Sequence, residues 1–133
     1  MLPAMPPLPF PPFKPCPCGS GRSYSACCSP RHTGERPAET PEALMRSRYA
    51  AYFLRDTDYV RRTWHPDTCP ADLNLEGDGT RYTGLTIHRA EGDEVEFTAT
   101  FRAGGRTGRM RERSHFARVG EAWVYVDGEV RGD

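Results

Sequence analysis

The chain has 133 residues, with 18 basic and 18 acidic side chains, no formal net charge and 37% hydrophobic residues. That supplies one ordinary core and an appendage rather than two domains. Without a polybasic block, an acidic tail or a long apolar run, the composition argues against a membrane partner and gives no lead toward duplex DNA.

Prolines at positions 3, 6, 7, 9, 11 and 12 deny residues 1–14 both helix and central strand, so an extended or disordered proline-rich lead is expected. Its opening, Met1-Leu2-Pro3-Ala4-Met5-Pro6-Pro7, has no basic stretch followed by an apolar run. This argues against a secretory leader and for the cytoplasm, where thiols stay reduced.

Cys16-x-Cys18, eight intervening residues and Cys27-Cys28 then form two close thiol pairs. Four thiolates are what tetrahedral zinc takes in structural sites, leaving no position for substrate. Between Pro15 and Thr40 the only sizeable apolar side chain is Tyr24. Burial at about 25 cal/mol per Å² cannot offset the entropy of ordering such a segment, whereas zinc contributes an apparent stabilisation of about 10–16 kcal/mol in small peptides. Gly19 and Gly21 permit positive φ, a tight turn and N–H groups aimed at sulfur, and Ser23 offers a cap for a short helix returning Cys27 and Cys28. An odd total of five cysteines speaks against a disulfide framework. One structural Zn²⁺ per chain is therefore expected on Cys16, Cys18, Cys27 and Cys28, with His32 the alternative to Cys28. A redox role for Cys27-Cys28 beside Arg22 and Arg31 is the rival reading.

The motif spans 15–32, and the polar stretch from Ser29 to Glu39, with Pro30, Gly34 and Pro37, reads as linker up to residue 40. Thr40 followed by Pro41 is a strong helix start. Met45, Tyr49, Tyr52 and Phe53 recur at helical spacing to about Arg55, and Thr57 starts a second helix ending near Trp64. After a loop through Gly77 and Gly79 the period changes to two. Strands are predicted near 81–90, 94–102, 107–119 and 122–127, with turns at Glu91-Gly92-Asp93, Gly104-Gly105 and Val119-Gly120. Such short turns make an antiparallel meander, and helices followed by a curved four-stranded sheet make an α+β domain over 41–133.

Alternation points Val95, Phe97, Ala99 and Phe101 inward, and Met110, Glu112, Ser114 and Phe116 with them. A carboxylate on a core face needs a cation, and Arg48, at the margin of the covering helix, is the expected ion-pair partner of Glu112, with Asp127 or a tyrosine hydroxyl nearby. This network is either structural or the floor of a cone-shaped pocket bounded by Arg48, Tyr49, Tyr52, Trp64, His65, Glu112, Ser114, Trp123 and Asp127. His65 and Cys69 suggest a nucleophilic pair only if the fold joins them; otherwise His65 caps a helix end and Cys69 fills space. No residue set is assigned a catalytic role. Arg109, Arg111, Arg113 and His115 form an outward stripe, joined by Arg102 and Arg106, that suits a phosphate backbone unless Glu94 and Glu96 neutralise it across the strands.

Cys16-Pro17-Cys18-Gly19-Ser20-Gly21, Tyr24 and Cys27-Cys28 resemble the SEC-C zinc motif found at the C-terminus of the bacterial preprotein translocase ATPase and in small bacterial proteins. Glu42-Ala43-Leu44-Met45-Arg46-Ser47-Arg48-Tyr49, Asp58-Tyr59, Thr63-Trp64-His65-Pro66, Arg111-Glu112-Arg113-Ser114-His115-Phe116 and Trp123-Val124-Tyr125-Val126-Asp127-Gly128 resemble the YchJ family. The resemblance implies an N-terminal SEC-C motif on a nuclear-transport-factor-2-like (cystatin-like) domain. It favours an adaptor whose zinc motif docks a protein, ribosomal or nucleic-acid partner, because in the translocase that motif contacts a chaperone. The alternative is a small-molecule binding or converting protein that uses the cone. A monomer or weak homodimer is expected, with no membrane partner.

Overall fold

In the computed structural model of the chain, residues 6–75 and 79–131 are described; the first five residues of the lead and Gly77 lie outside them. Three helices, α1 (Ser29–Thr33), α2 (Pro41–Leu54) and α3 (Thr57–Arg62), precede four strands, β1 (Arg81–Glu91), β2 (Glu94–Ala103), β3 (Arg106–Val119) and β4 (Ala122–Arg131). The strands pair antiparallel in the order β1-β2-β3-β4, the meander that the short turns imply.

Local chemistry sets the helix ends. Thr40 Oγ1 accepts the Ala43 amide at 3.1 Å and Pro41 opens α2, which stops where Arg55 enters the left-handed region at φ 59°. The cap of α3 is Asp56 rather than the expected Thr57, its Oδ1 accepting the Tyr59 amide at 3.1 Å. Helix α3 ends at Arg62, short of Trp64. Thr63 to His65 instead join β4 through a parallel bridge: Tyr125 N donates to Thr63 O at 2.8 Å and His65 N to Tyr125 O at 2.7 Å.

Val95, Phe97 and Ala99 of β2 and Ser114 and Phe116 of β3 are buried beneath Leu44, Met45, Tyr49 and Ala50 of α2. Buried residues do not keep to one stripe of α2, since Ser47, Arg48, Ala51 and Leu54 are covered as well. The reason is that two further elements cover α2. Tyr59, Val60 and Thr63, in and just after α3, meet Ser47, Arg48 and Ala51. The N-terminal segment reaches Ser47 O through His32 and Leu54 O through Leu8, its four motif cysteines sharing a core with Leu44, Met45 and Tyr49. The expected linker begins with helix α1, and the described part of the lead is held rather than free. Leu8 N donates to Leu54 O at 2.8 Å, and the Phe10 ring meets Tyr24 and Phe53 edge-on. Proline blocks helix and sheet ladders but leaves such single contacts open.

Two irregularities matter later. Strand β1 slips register against β2 between Tyr82 and Gly84 and again between Ile87 and Arg89. In the β3–β4 ladder Phe116 faces Tyr125 while His115 faces Asp127, so Val126 is an extra residue and the alternation of β4 reverses there.

Candidate metal centre and pocket

The motif folds as a small loop. Pro15 and Ser23 form an antiparallel bridge, Cys16 N donates to Arg22 O at 2.8 Å, and Gly19 and Gly21 adopt φ 79° and 86°. A 3₁₀ turn at Tyr24–Ala26 returns the chain to Cys27 and Cys28; Ser23 precedes it without the expected side-chain cap. All four cysteines are buried, and their sulfurs lie within 4.8 Å of one another, with Cys18 to Cys27 at 3.6 Å and Cys27 to Cys28 at 3.9 Å. Adjacent cysteines thus both reach the centre. Hydrogen bonds from Cys16 and Cys28, assisted by the Ser20 hydroxyl and amide, pull the Cys18 thiol far down, whereas its partners hold their protons, Cys16 being pushed up to about 12 by its bond to Cys18. Four sulfurs this close cannot all ionise without a cation among them.

His32 is turned away from the sulfurs. Its Nδ1 meets the Tyr24 hydroxyl at 2.7 Å and its Nε2 the Ser47 carbonyl oxygen at 2.8 Å. Burial lowers its pKa, so a neutral ring stitches the motif to α2. Arg46 Nη1 donates to Cys18 O at 2.8 Å and Arg62 Nη2 to His32 O at 2.6 Å, completing the seam.

A cavity of about 260 Å³ opens between α2 and the sheet. Of the expected lining residues it brings together Arg48, Tyr49, Tyr52, Trp64 and Glu112. The Arg48–Glu112 ion pair is not formed. Arg48 Nη1 donates to Val60 O at 2.9 Å and Thr63 Oγ1 at 2.8 Å, and its guanidinium lies 4.6 Å from the centre of the Tyr125 ring and 5.0 Å from that of Trp64. Glu112 Oε2 accepts from Ser114 Oγ at 2.6 Å and the Tyr125 hydroxyl at 3.0 Å. Tyr125 therefore stands between the two charges. Burial lowers the pKa of Arg48 and raises those of Tyr52 and Tyr125, which keeps both phenols protonated. The tyrosine hydroxyl expected near Glu112 is that of Tyr125, which the sequence did not single out by number.

Several expected residues sit elsewhere. The reversal at Val126 sends Asp127 to the outer face, where its Oδ1 meets His115 Nδ1 at 2.8 Å. Ser114 lies beneath the floor, fully buried. Trp123 faces a different cleft near α1, with Arg118 stacked 4.6 Å from its ring centre. The bridge to Tyr125 holds the His65 backbone, while its Nδ1 accepts the Asp67 amide at 3.1 Å. Cys69 N donates to His65 O at 3.0 Å, but the Cys69 Sγ meets Pro70 O at 3.6 Å and the His65 ring meets Asp67, so thiol and imidazole do not form a nucleophilic pair among the described residues. On the outer face Glu96 takes Arg111 at 2.8 Å, Glu94 lies 3.9 Å from Arg113, and Glu129 binds Arg113 at 2.8 Å. This pairing neutralises much of the stripe; Arg102 and Arg106 remain exposed on the hairpin.

Residues 40–128 match the family model described as YchJ, middle NTF2-like domain, and residues 14–30 match the SEC-C motif. The chain belongs to the YchJ family. The YchJ relatives include a UPF0225 protein of Deinococcus radiodurans, 71% identical over 119 residues and covering 89% of this chain and 91% of its own length. A UPF0225 protein of Streptomyces coelicolor is 52% identical over 121 residues, covering 89% and 97%. Among solved structures, a SEC-C motif containing protein from Rhodopseudomonas palustris superposes with a TM-score of 0.78 at 38% identity, over 90% of this chain and all of that one. A sec-c motif containing protein from Psychrobacter arcticus gives 0.68 at 25% identity, over 92% and 85%. The YchJ membership and the α+β, NTF2-like fold expected from the sequence both hold. No described helix is long and apolar enough to cross a membrane.

Proposed function

We propose that Cys16, Cys18, Cys27 and Cys28 hold one structural zinc ion, which ties the N-terminal third to the NTF2-like domain, and that the cone of that domain binds a small molecule. Tetrahedral Zn–S bonds of about 2.3 Å need sulfurs about 3.8 Å apart, close to the 3.6 and 3.9 Å found. The two hydrogen bonds of His32 favour Cys28 as fourth ligand. When bound, the ion supplies a crosslink and neutralises thiolate charge; all four ligand positions are protein sulfur, so no reaction is routed through it. Free thiols suit a reducing compartment such as the cytoplasm.

The observation that carries the pocket reading is the cavity, whose floor holds Arg48 and Glu112. Arg48 is held by Val60 O, Thr63 and two rings, and Glu112 by Ser114 and Tyr125, so neither depends on the other for placement. Saturation-transfer NMR of reduced, zinc-loaded protein against a neutral aromatic fragment library tests it. Hits that are lost on Ala99→Met, which fills the cavity, and weakened by Glu112→Gln support the reading. A library without hits, or hits indifferent to both changes, rejects it. The adaptor reading is favoured by one observation, the exposure of Phe13 (89%) and Leu8 (46%) beside the motif. Because the motif shares a core with α2, docking of a partner would use this outer surface and not a detached module.

A further inference from the structure

A second cleft, of about 250 Å³, lies where α1 and the loop after it meet the end of α3 and the start of β4. Three cations line it, Arg31, Arg36 and Arg62, and no carboxylate does; Glu35 beside Arg36 and Glu121 beside Ala122 contribute nothing to its wall. Among the described residues none of these arginines is in an ion pair. In a chain of zero net charge, three guanidiniums gathered without a counter-charge need an explanation.

Their own contacts give it in part. Arg31 Nη1 donates to Cys27 O at 3.1 Å, and Arg62 Nη2 to the carbonyl oxygens of His32 and Arg31, with its guanidinium 4.7 Å from the centre of the Tyr59 ring. Both arginines are thereby pre-positioned by the metal motif and α3. Two donors of the cleft residues, Arg31 Nε and Trp123 Nε1, are buried and have no acceptor among the described residues. Trp64 Nε1 and Arg113 Nε are buried and unpaired in the same way away from the cleft, so the case for a ligand rests on the three guanidiniums without a counter-charge. Arg36 is exposed and lines the cleft, and among the described residues its side chain makes no hydrogen bond or ion pair.

We infer that this cleft binds a small phosphomonoester. A phosphate group carries close to two negative charges and three acceptor oxygens, which matches several guanidiniums better than a single carboxylate does. Pro37, Ala38 and Val124 complete the wall and give the organic body of the ligand an apolar surface. The site is separate from the cone and does not rest on the pocket reading.

Phenyl phosphate is the probe, titrated into reduced, zinc-loaded protein by calorimetry and followed through the Trp123 indole N–H resonance, assigned with Trp123→Phe. Binding near or below about 1 mM, a shift of that resonance, and a loss of about ten-fold or more on Arg36→Ala are expected. Phenol does not bind there, and Arg106→Ala on the far hairpin leaves the affinity unchanged. Among the described residues the Arg36 side chain has no partner, and its main-chain bond to Pro30 O does not depend on the side chain, so the variant folds as the parent does, and circular dichroism checks this. Absence of binding at about 10 mM, equal loss on Arg106→Ala, or benzoate binding as tightly overturns the proposal. It is also overturned if single-stranded RNA binds more tightly than phenyl phosphate with the same dependence on Arg36, which would make the cleft part of a strand-binding surface.

Discussion

Replacing Gly128 with alanine tests the polar floor of the cone from behind. Gly128 lies in β4 without positive φ, so alanine is acceptable to the backbone and on propensity alone would be neutral or slightly stabilising. The new methyl group, however, would stand 2.5 Å from Cδ and 2.8 Å from Cγ of Glu112. Glu112 must leave, and with it go the hydrogen bonds from Ser114 and Tyr125. Bonds to a charged group contribute about 1.5–3 kcal/mol each; allowing for rehydration of the displaced carboxylate, the expected cost is about 2–4 kcal/mol, read from urea unfolding of the zinc-loaded protein. A double-mutant cycle sharpens the test. Once Gly128→Ala has expelled the carboxylate, Glu112→Ala should cost about 1.5 kcal/mol less than it does alone. A Gly128→Ala protein within about 0.5 kcal/mol of the parent, or additive single effects, would refute the packing of Glu112 over Gly128.

Zinc affinity should rise with pH between 6 and 8, because Cys16 and Cys28 hold protons that the ion must displace; competition with a chromophoric chelator measures it, and a flat profile contradicts the tetrathiolate site. Deleting residues 1–36 should lower stability by about 3 kcal/mol or more, since the bonds from Arg46 to Cys18 O, His32 to Ser47 O and Arg62 to His32 O, each worth about 1 kcal/mol, are lost together with burial of α2. A melting temperature unchanged by the deletion would mean a detached appendage. The pKa of His115 is raised, first by its bond to Asp127, so the pair stabilises the fold fully below about pH 6.5 and that contribution fades as pH rises through the folded-state value. Asp127→Asn should lower the titration midpoint of His115 followed by NMR, and an unmoved midpoint would rule out the contact.

Local signals in the sequence carried much of this architecture. Thr40-Pro41 starts α2 as the cap rule requires, and Glu91-Gly92-Asp93 and Gly104-Gly105 turn the strands where expected. Alternation placed Val95, Phe97 and Ala99 inward, and the cysteine spacing identified the four converging sulfurs. What failed was non-local. One extra residue, Val126, moved Asp127 from the pocket to the surface, and a bulge leaves no mark in a period-two pattern. Arg48 found carbonyl and aromatic partners that depend on how α3 turns into the Trp64–Tyr125 bridge. The stretch after Cys28 is polar enough to read as linker, yet α1 gains its place from His32 and Arg62, interactions that no helix propensity encodes.

The two slips of β1 against β2 bear on how molecules of this protein meet one another. An open meander exposes main-chain donors and acceptors along its outer strands, an invitation to strand-by-strand growth between copies. Thr63 to His65 blunt one border by bonding to Tyr125, and broken phasing at Gly84 and Arg89, with charged Arg81 and Arg89 nearby, spoils the other as a template. An incoming strand would have to match an uneven ladder, and the fold thereby discourages fibrous self-association without closing into a barrel.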